Sequence, residues 1–389
     1  MKKIYMDYAA TTPVDKEVLN EMLPYFDKKF GNASSIHNFG LDSLDAIEKA
    51  REKVAEIIHS KSDEIVFTSG GTESDNLAIK GIAYKKRDKR KTKGNHIITC
   101  AVEHPAILET CKYLEKQGFN IDYLPVDKYG VIDLSDLEDA ISENTFLVTI
   151  MFGNNEIGTV EPIESIGKIT KEHNIIFHTD AVQAVGKEKI DVNRFNIDLL
   201  SISAHKIYGP KGAGALYVRK GTTLEPLAHG GGHEKGFRSS TLNTPGIVGL
   251  GKACELGLKR MNKDVLNMKK LRDILIKNIT EIDETYLNGH PIKRLANNAH
   301  FRFSAIEGES LSLMLDDKGI AASTGSACSS KKLQASHVLL AIGLKPEESH
   351  GSLRLSLGRM STKEEVEYVS NVLPEIVNKL RKMSPLWAK

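Results

Sequence analysis

At 389 residues, with 40% apolar and 27% charged side chains, the chain is longer than one hydrophobic core usually serves; two domains are expected, and disordered and fibrous classes are excluded. Lys plus Arg at 53 against Asp plus Glu at 51 leaves a net charge of +2, too even to gather nucleic acid or an anionic membrane, so the partner is expected to be small. Four cysteines, Cys100, Cys111, Cys254 and Cys328, are too few and too scattered for a disulfide framework or a zinc ribbon, and they suit a reducing cytoplasm.

The start carries Lys2 and Lys3 with no apolar stretch behind them, and no later run approaches the ~20 apolar residues of a spanning helix. The expectation is a cytoplasmic protein, neither secreted nor membrane-embedded. From about residue 45 to 220, helical periodicity alternates with short apolar runs, as in a parallel sheet flanked by helices. Ile65 to Thr68 reads as a strand, Ser69 to Thr72 as a turn and Glu73 to about Lys86 as a helix. His96 to Ala101 is a strand, Pro105 opens a helix ending near Gly118, and Ile121 to Val126 is the next strand. Phe146 to Met151, Ile175 to Thr179 and Leu199 to Ser203 complete a set whose continuous apolar character suits strands covered on both faces.

After Lys252 the pattern changes. Ala253 to about Ile282 carries long helical periodicity, followed by a strand near His300 to Phe303, a helix near Glu309 to Asp317 and a strand at Leu353 to Leu357. A terminal helix is opened by the capping box Ser361-x-x-Glu364. This is an α+β unit. The charge run Lys85 to Lys91 lies between a helix and a strand and reads as a solvated loop, or else as a docking patch for an acidic partner.

Chemistry collects where strands end. In Thr68 to Asn76, turn N–H groups and the Thr72 hydroxyl meet at a helix N-terminus, which favours an anion; without Gly-Lys-Ser/Thr it is not a nucleoside-triphosphate loop, and alone it is also an ordinary tight turn. In Ser201 to Gly212, Lys206 leaves a buried strand end, where a desolvated amine is a Schiff-base nucleophile, or else a plain lysine beside a glycine turn. An aldehyde cofactor bearing a phosphate joins the two clusters. Asp180, just past a strand, either caps a helix or pairs with a pyridinium nitrogen, with Gln183 beside the phenolic oxygen.

His104 precedes the helix-opening proline at the same edge, with an aromatic face to stack or simply a surface position. Asn155, in Asn154 to Gly158, offers an amide, although Asn-rich turns are common. Cys328 lies in the small, hydroxylic run Ala322 to Ser330, unlike Cys111, which shares an apolar helical stripe; a reactive thiolate is expected there. Arg354 interrupts the strand Ser352 to Gly358 out of phase with its leucines, either facing solvent or clamping a substrate carboxylate. His229 and His233, in a glycine loop, are too few for a metal site.

Together these segments, with Asp7 to Pro13 and His229 to His233, resemble the cysteine desulfurases of the NifS/IscS type, class-V aminotransferase relatives that use pyridoxal 5'-phosphate. The resemblance spans essentially the whole chain. It implies the aspartate-aminotransferase fold (fold type I): a large α/β domain over 15–255 with a mixed, mostly parallel seven-stranded sheet, and a small α+β domain from 1–14 and 256–389 carrying the cysteine loop. It implies that Lys206 carries the cofactor, His104 stacks on its ring, and Asp180 and Gln183 contact its nitrogen and oxygen. Gly71, Thr72, Ser203 and His205 bind the phosphate, with Thr241 supplied by the other subunit of a homodimer. Asn155, Arg354 and, more weakly, Asn32 orient the carboxylate of L-cysteine. Cys328 takes the sulfur as a persulfide, leaving alanine.

The implied acceptor is an iron-sulfur scaffold or another sulfur-acceptor protein, with no metal in the enzyme itself. Ala33 and Gly71 depart from the family's usual proline and alanine, and the end at Pro385 to Lys389 is shorter than the scaffold-docking tail of many relatives. Two rival readings use fewer of these residues. An aminotransferase has no use for Cys328, and a non-enzymatic sulfur carrier needs Cys328 but not the cofactor cluster.

Overall fold

The computed structural model describes residues 3–86, 94–324 and 335–387. Cys328 and the larger part of the charge run near residue 90 lie outside the described residues. In chain order the strands are β1 (Ile4–Tyr5), β2 (Ile65–Thr68), β3 (His96–Cys100), β4 (Asn120–Leu124), β5 (Thr145–Thr149), β6 (Ile176–Asp180), β7 (Leu199–Ser203), β8 (Gly214–Val218), β9 (Thr285–Asn288), β10 (Asn298–Phe303), β11 (Ile320–Ala321) and β12 (Ser352–Ser356).

The principal sheet has seven strands in the order β2-β8-β7-β6-β5-β3-β4. It is parallel from β7 through β4, while β8 runs antiparallel to both of its neighbours. Central strands such as β3 and β7 are buried along their whole length, which is why their sequences are continuously apolar. Edge strand β4 instead alternates, with Asn120 and Asp122 on its more open side. Helices cover both faces, and one apolar core lies against Phe67 and Phe177 while another lies between the sheet and the helices Gly71–Lys86 and Pro105–Glu115.

β8 was not among the expected strands. It reverses direction straight after the Lys206 turn and pairs Gly214 with Thr68 and with Ser203. A Cβ at Gly214 would lie 2.6 Å from Gly70 Cα, so the crossing of these two chains requires glycine. Two reversals also make β2 point the same way as β7, and the loops after β2, β3, β5, β6 and β7 therefore open at one edge of the sheet.

The remaining elements build a three-stranded antiparallel sheet, β12-β10-β9, backed by the helices Gly308–Asp317 and Lys363–Met383 around Phe301, Leu355 and Leu373. The short pair β1-β11 ties the N-terminal segment to this unit. The long helix is Thr244–Thr280, longer at its start than the expected Ala253, with Pro245 in its first turn and Asn243 as its cap. The terminal helix begins one residue later than expected. Its capping box is Thr362 with Glu365, not Ser361 with Glu364, because the Ser361 hydroxyl is already used by the Gly358 N–H at 3.0 Å.

Candidate active site

The common edge encloses a cavity of about 440 Å³. Of the residues expected at a site, Gly71, Thr72, His104, Asn155, Asp180, Gln183, Ser203, His205, Lys206 and Arg354 line it. Residues from separate strand ends therefore share one cavity. Thr241 and Asn32 are exposed and outside this lining, and the Asn32 Oδ1 accepts the Ser34 N–H at 2.9 Å.

Lys206 lies in a 3₁₀ turn after β7, so its backbone is fixed by the strand while its side chain crosses the cavity. Its Nζ donates to the carbonyls of Ala9 at 2.6 Å and Ala10 at 2.8 Å. Gln183 donates to the same Ala9 carbonyl at 2.9 Å. The N-terminal segment is pinned across this turn, with Thr12 N and Oγ1 both donating to the His205 carbonyl. His205 is held neutral: burial and the nearby lysines push it down to about 4.

At one end, the helix Gly71–Lys86 starts beside Ser203 and His205. A Cβ at Gly71 would meet Val182 Cγ2 at 2.8 Å, so this helix N-terminus packs tightly against the turn that follows Asp180. Asp180 is buried, and its Oδ1 accepts the Val182 N–H at 2.9 Å. Burial raises the Asp180 carboxyl, while His104, the Val182 N–H and Lys206 pull it back. His104 caps the helix Pro105–Glu115, its Nδ1 accepting the Ala106 N–H at 3.1 Å, which fixes the ring at the cavity wall. Burial lowers its basicity, with Asp180 acting against that.

Arg354 also lines the cavity. It is only 3% exposed, which overturns the solvent-facing reading of β12. Nη2 pairs with Asp7 Oδ1 at 2.7 Å, and Nη1 donates to the Asn155 carbonyl at 2.8 Å. Asn154 holds that turn by accepting the Glu156 and Ile157 N–H groups and donating to the Val102 carbonyl. Cys100, Cys111 and Cys254 are fully buried, and burial raises all three thiols, so none is a ready nucleophile.

Sequence reasoning missed Asp75, Glu156 and His337, which also line the cavity, and it gave Asp7 no task. Asp75 sits three positions after Thr72, within a segment already singled out. His337 carried no signal, because only the fold brings its short helix to the end of β3.

Fold and site together define the class: an α/β protein that gathers a lysine, a buried acid and an arginine around one cavity at the carboxyl edge of its sheet. The family model for class-V aminotransferases matches residues 4–369. A protein named cysteine desulfurase IscS from Methanosarcina thermophila is 57% identical over 388 residues, covering 100% of this chain and 95% of that one. Cysteine desulfurase IscS 1 of Archaeoglobus fulgidus is 50% identical, covering 99% and 100% respectively. Among solved structures, a NifS-like protein superposes with a TM-score of 0.91 at 39% identity, covering 97% of this chain and 100% of that one. A structure described as SspA in complex with cysteine gives 0.82 at 41%, covering 93% and 100%. The chain belongs to the class-V aminotransferase family, among its cysteine desulfurases, and its cofactor is pyridoxal 5'-phosphate.

The lining suits that group. A helix N-terminus with Thr72, Ser203 and His205 offers donors to a phosphate dianion, Asp180 offers a buried carboxylate to a ring nitrogen, and Lys206 offers a primary amine, all within one cavity.

Proposed function

We propose that this chain abstracts sulfur from L-cysteine, giving L-alanine and a persulfide on Cys328. The observation that carries the reading is the placement of Lys206, Asp180 and Arg354 around one cavity, with both flanks of the cysteine segment fastened to its wall. Ser352 Oγ donates to the Thr324 carbonyl at 3.1 Å, and Ser323 bridges to Arg354. On the other side, Ser336 Oγ donates to Glu156 Oε2 at 2.6 Å and His337 Nε2 to the Glu103 carbonyl at 2.9 Å. Cys328 lies four positions after Thr324, an extended reach of at most about 14 Å.

When bound, the cofactor supplies an electron sink for the pairs released at the substrate carbons. Gly71, Thr72, Ser203 and His205 hold its phosphate, His104 covers its ring, Asp180 and Gln183 meet its nitrogen and oxygen, and Lys206 carries it. Arg354, oriented by Asp7, binds the substrate carboxylate with Asn155 beside it. Asn32, already engaged with Ser34, contributes least. The Lys206 amine moves the α-proton. The Cys328 thiolate attacks the substrate sulfur: an S–S bond forms, the C–S bond breaks, and the carbon keeps the pair and takes a proton. The balance is L-cysteine plus thiol to L-alanine plus persulfide.

The domains we propose are 15–255 and 1–14 with 256–389, supported by the separate cores around Phe177 and Phe301. The working unit is a homodimer in which the exposed Thr241 serves the partner's phosphate site. The sulfur passes to an iron-sulfur scaffold or another acceptor protein. The location is cytoplasmic; among the described residues no helix is long and apolar enough to cross a membrane.

Cys328→Ala is expected to keep the cofactor absorbance and its change on adding L-cysteine, yet to form neither alanine nor sulfide. Alanine production at the wild-type rate would remove Cys328 from the reaction. Borohydride reduction followed by peptide mapping is expected to place the pyridoxyl label on Lys206, and a label on another lysine would refute the anchor.

A further inference from the structure

Among the acids that line the cavity, Asp180 faces the cofactor and Glu156 accepts the Ser336 hydroxyl, while Asp75 has no such task. Asp75 projects from the first turns of the helix Gly71–Lys86, is 1% exposed and shares the cavity with Asp180. Its Oδ1 makes no hydrogen bond, and it stands 3.7 Å from His178 Nε2. That imidazole cannot neutralise it. His178 is fully buried, meets the hydroxyls of Thr149 at 2.8 Å and Ser201 at 3.1 Å through its two nitrogens, and is pushed down to about 3 by burial.

The charged neighbours of Asp75 are themselves acids, Asp180 and Glu103, while the Ser201 hydroxyl alone favours its anion. Burial first, then those acids, raises the Asp75 carboxyl well above its ordinary range. Asp180 has the opposite surroundings: the Val182 N–H on Oδ1, with His104 and Lys206 nearby. Glu103 is likewise raised by burial; its Oε1 accepts the Met151 N–H at 2.6 Å and the Cys100 thiol at 3.2 Å. Buried carboxyls that share one site do not all ionise, and the charge goes where donors and cations support it.

We propose that Asp75 is a positioning residue of this site: a carboxyl that keeps its proton and backs Asp180 from the protein side, leaving Asp180 as the anion that faces the ring nitrogen. The inference rests on the assignment of Asp180 to that nitrogen. A neutral acid beside Asp180 does not divide the negative charge that faces the ring nitrogen.

The test uses the holoenzyme prepared with isotope-labelled aspartate carboxyls. Infrared difference spectra near neutral pH are expected to show a label-shifted carbonyl band of a protonated carboxyl in the wild type, lost in Asp75→Asn. Asp75→Leu is expected to weaken cofactor binding about tenfold and to shift the pH titration of the cofactor absorbance, and Asp75→Asn to restore most of both. Absence of the labelled band from the wild type overturns the proposal even if neither variant folds. A shift of about one pH unit or more in Asp75→Asn also overturns it, since an anion would then have been removed. Asp180→Asn with unchanged cofactor affinity and spectrum would refute the nitrogen assignment and with it the positioning role, while the infrared band still reports the proton on Asp75.

Discussion

Arg354 shows how much a single side chain owes to its setting. The guanidinium is planar and its two Nη atoms are engaged on fixed partners, Asp7 and the Asn155 carbonyl, so it presents one orientation to the cavity. A lysine at that position keeps the charge but loses the fork. Arg354→Lys is expected to raise KM for L-cysteine by about tenfold or more with kcat within about threefold, as for a lost ground-state contact. Steady-state kinetics checks this; a fall in kcat at constant KM would place Arg354 elsewhere in the reaction. The alternation of β12 showed in sequence that Arg354 stood out of phase with its leucines, but not that both faces of the strand are covered. Burial on the polar phase comes from Asp7 and the Asn154–Gly158 turn, distant segments whose approach no local pattern announces.

The elements were legible where one face alternates with the helical or strand period, and less so where glycine interrupts it. In the long helix, Gly246, Gly249, Gly251 and Gly257 lower the apparent helical propensity, and the expected start fell at Ala253 rather than Thr244. Those glycines serve packing: a Cβ at Gly251 would lie 2.6 Å from Ala50 of the neighbouring helix Asn38–Ile57. β8 was missed for a different reason, since the βαβ rhythm that revealed its parallel neighbours gives no sign of an antiparallel return. At the terminal helix, Ser361 and Thr362 are equivalent caps by type, and tertiary use of the Ser361 hydroxyl decides between them. The Thr362 Oγ1 accepts the Glu365 N–H at 3.2 Å, and Glu365 Oε2 accepts the Thr362 N–H at 3.1 Å. Thr362→Ala is expected to cost about 1 kcal/mol, with Thr362→Ser close to wild type, measured as urea midpoints at constant m.

For the molecule as a whole, burying acids to shape the site and its scaffold ties stability to pH. Glu161 lies in the core that supports the Asn154–Gly158 turn, is 4% exposed, and has one oxygen on the Ile132 N–H at 3.2 Å while Oε1 has no partner. Burial, then the charge of Asp127, raises its carboxyl from 4.5 to about 8, with the Ile132 N–H acting against the shift. Between those two values the folded chain holds a proton that the unfolded chain has released, so stability falls as pH rises through this window and is constant beyond it. Integrated over the window, the effect is on the order of a few kcal/mol. Glu161→Gln removes the titration. Relative to wild type, the variant is expected to gain in unfolding midpoint steadily from about pH 5 to about pH 8 and no further, as read by denaturant titration at matched ionic strength. A difference between the two proteins that is flat across that range would mean that Glu161 is already ionised in the fold.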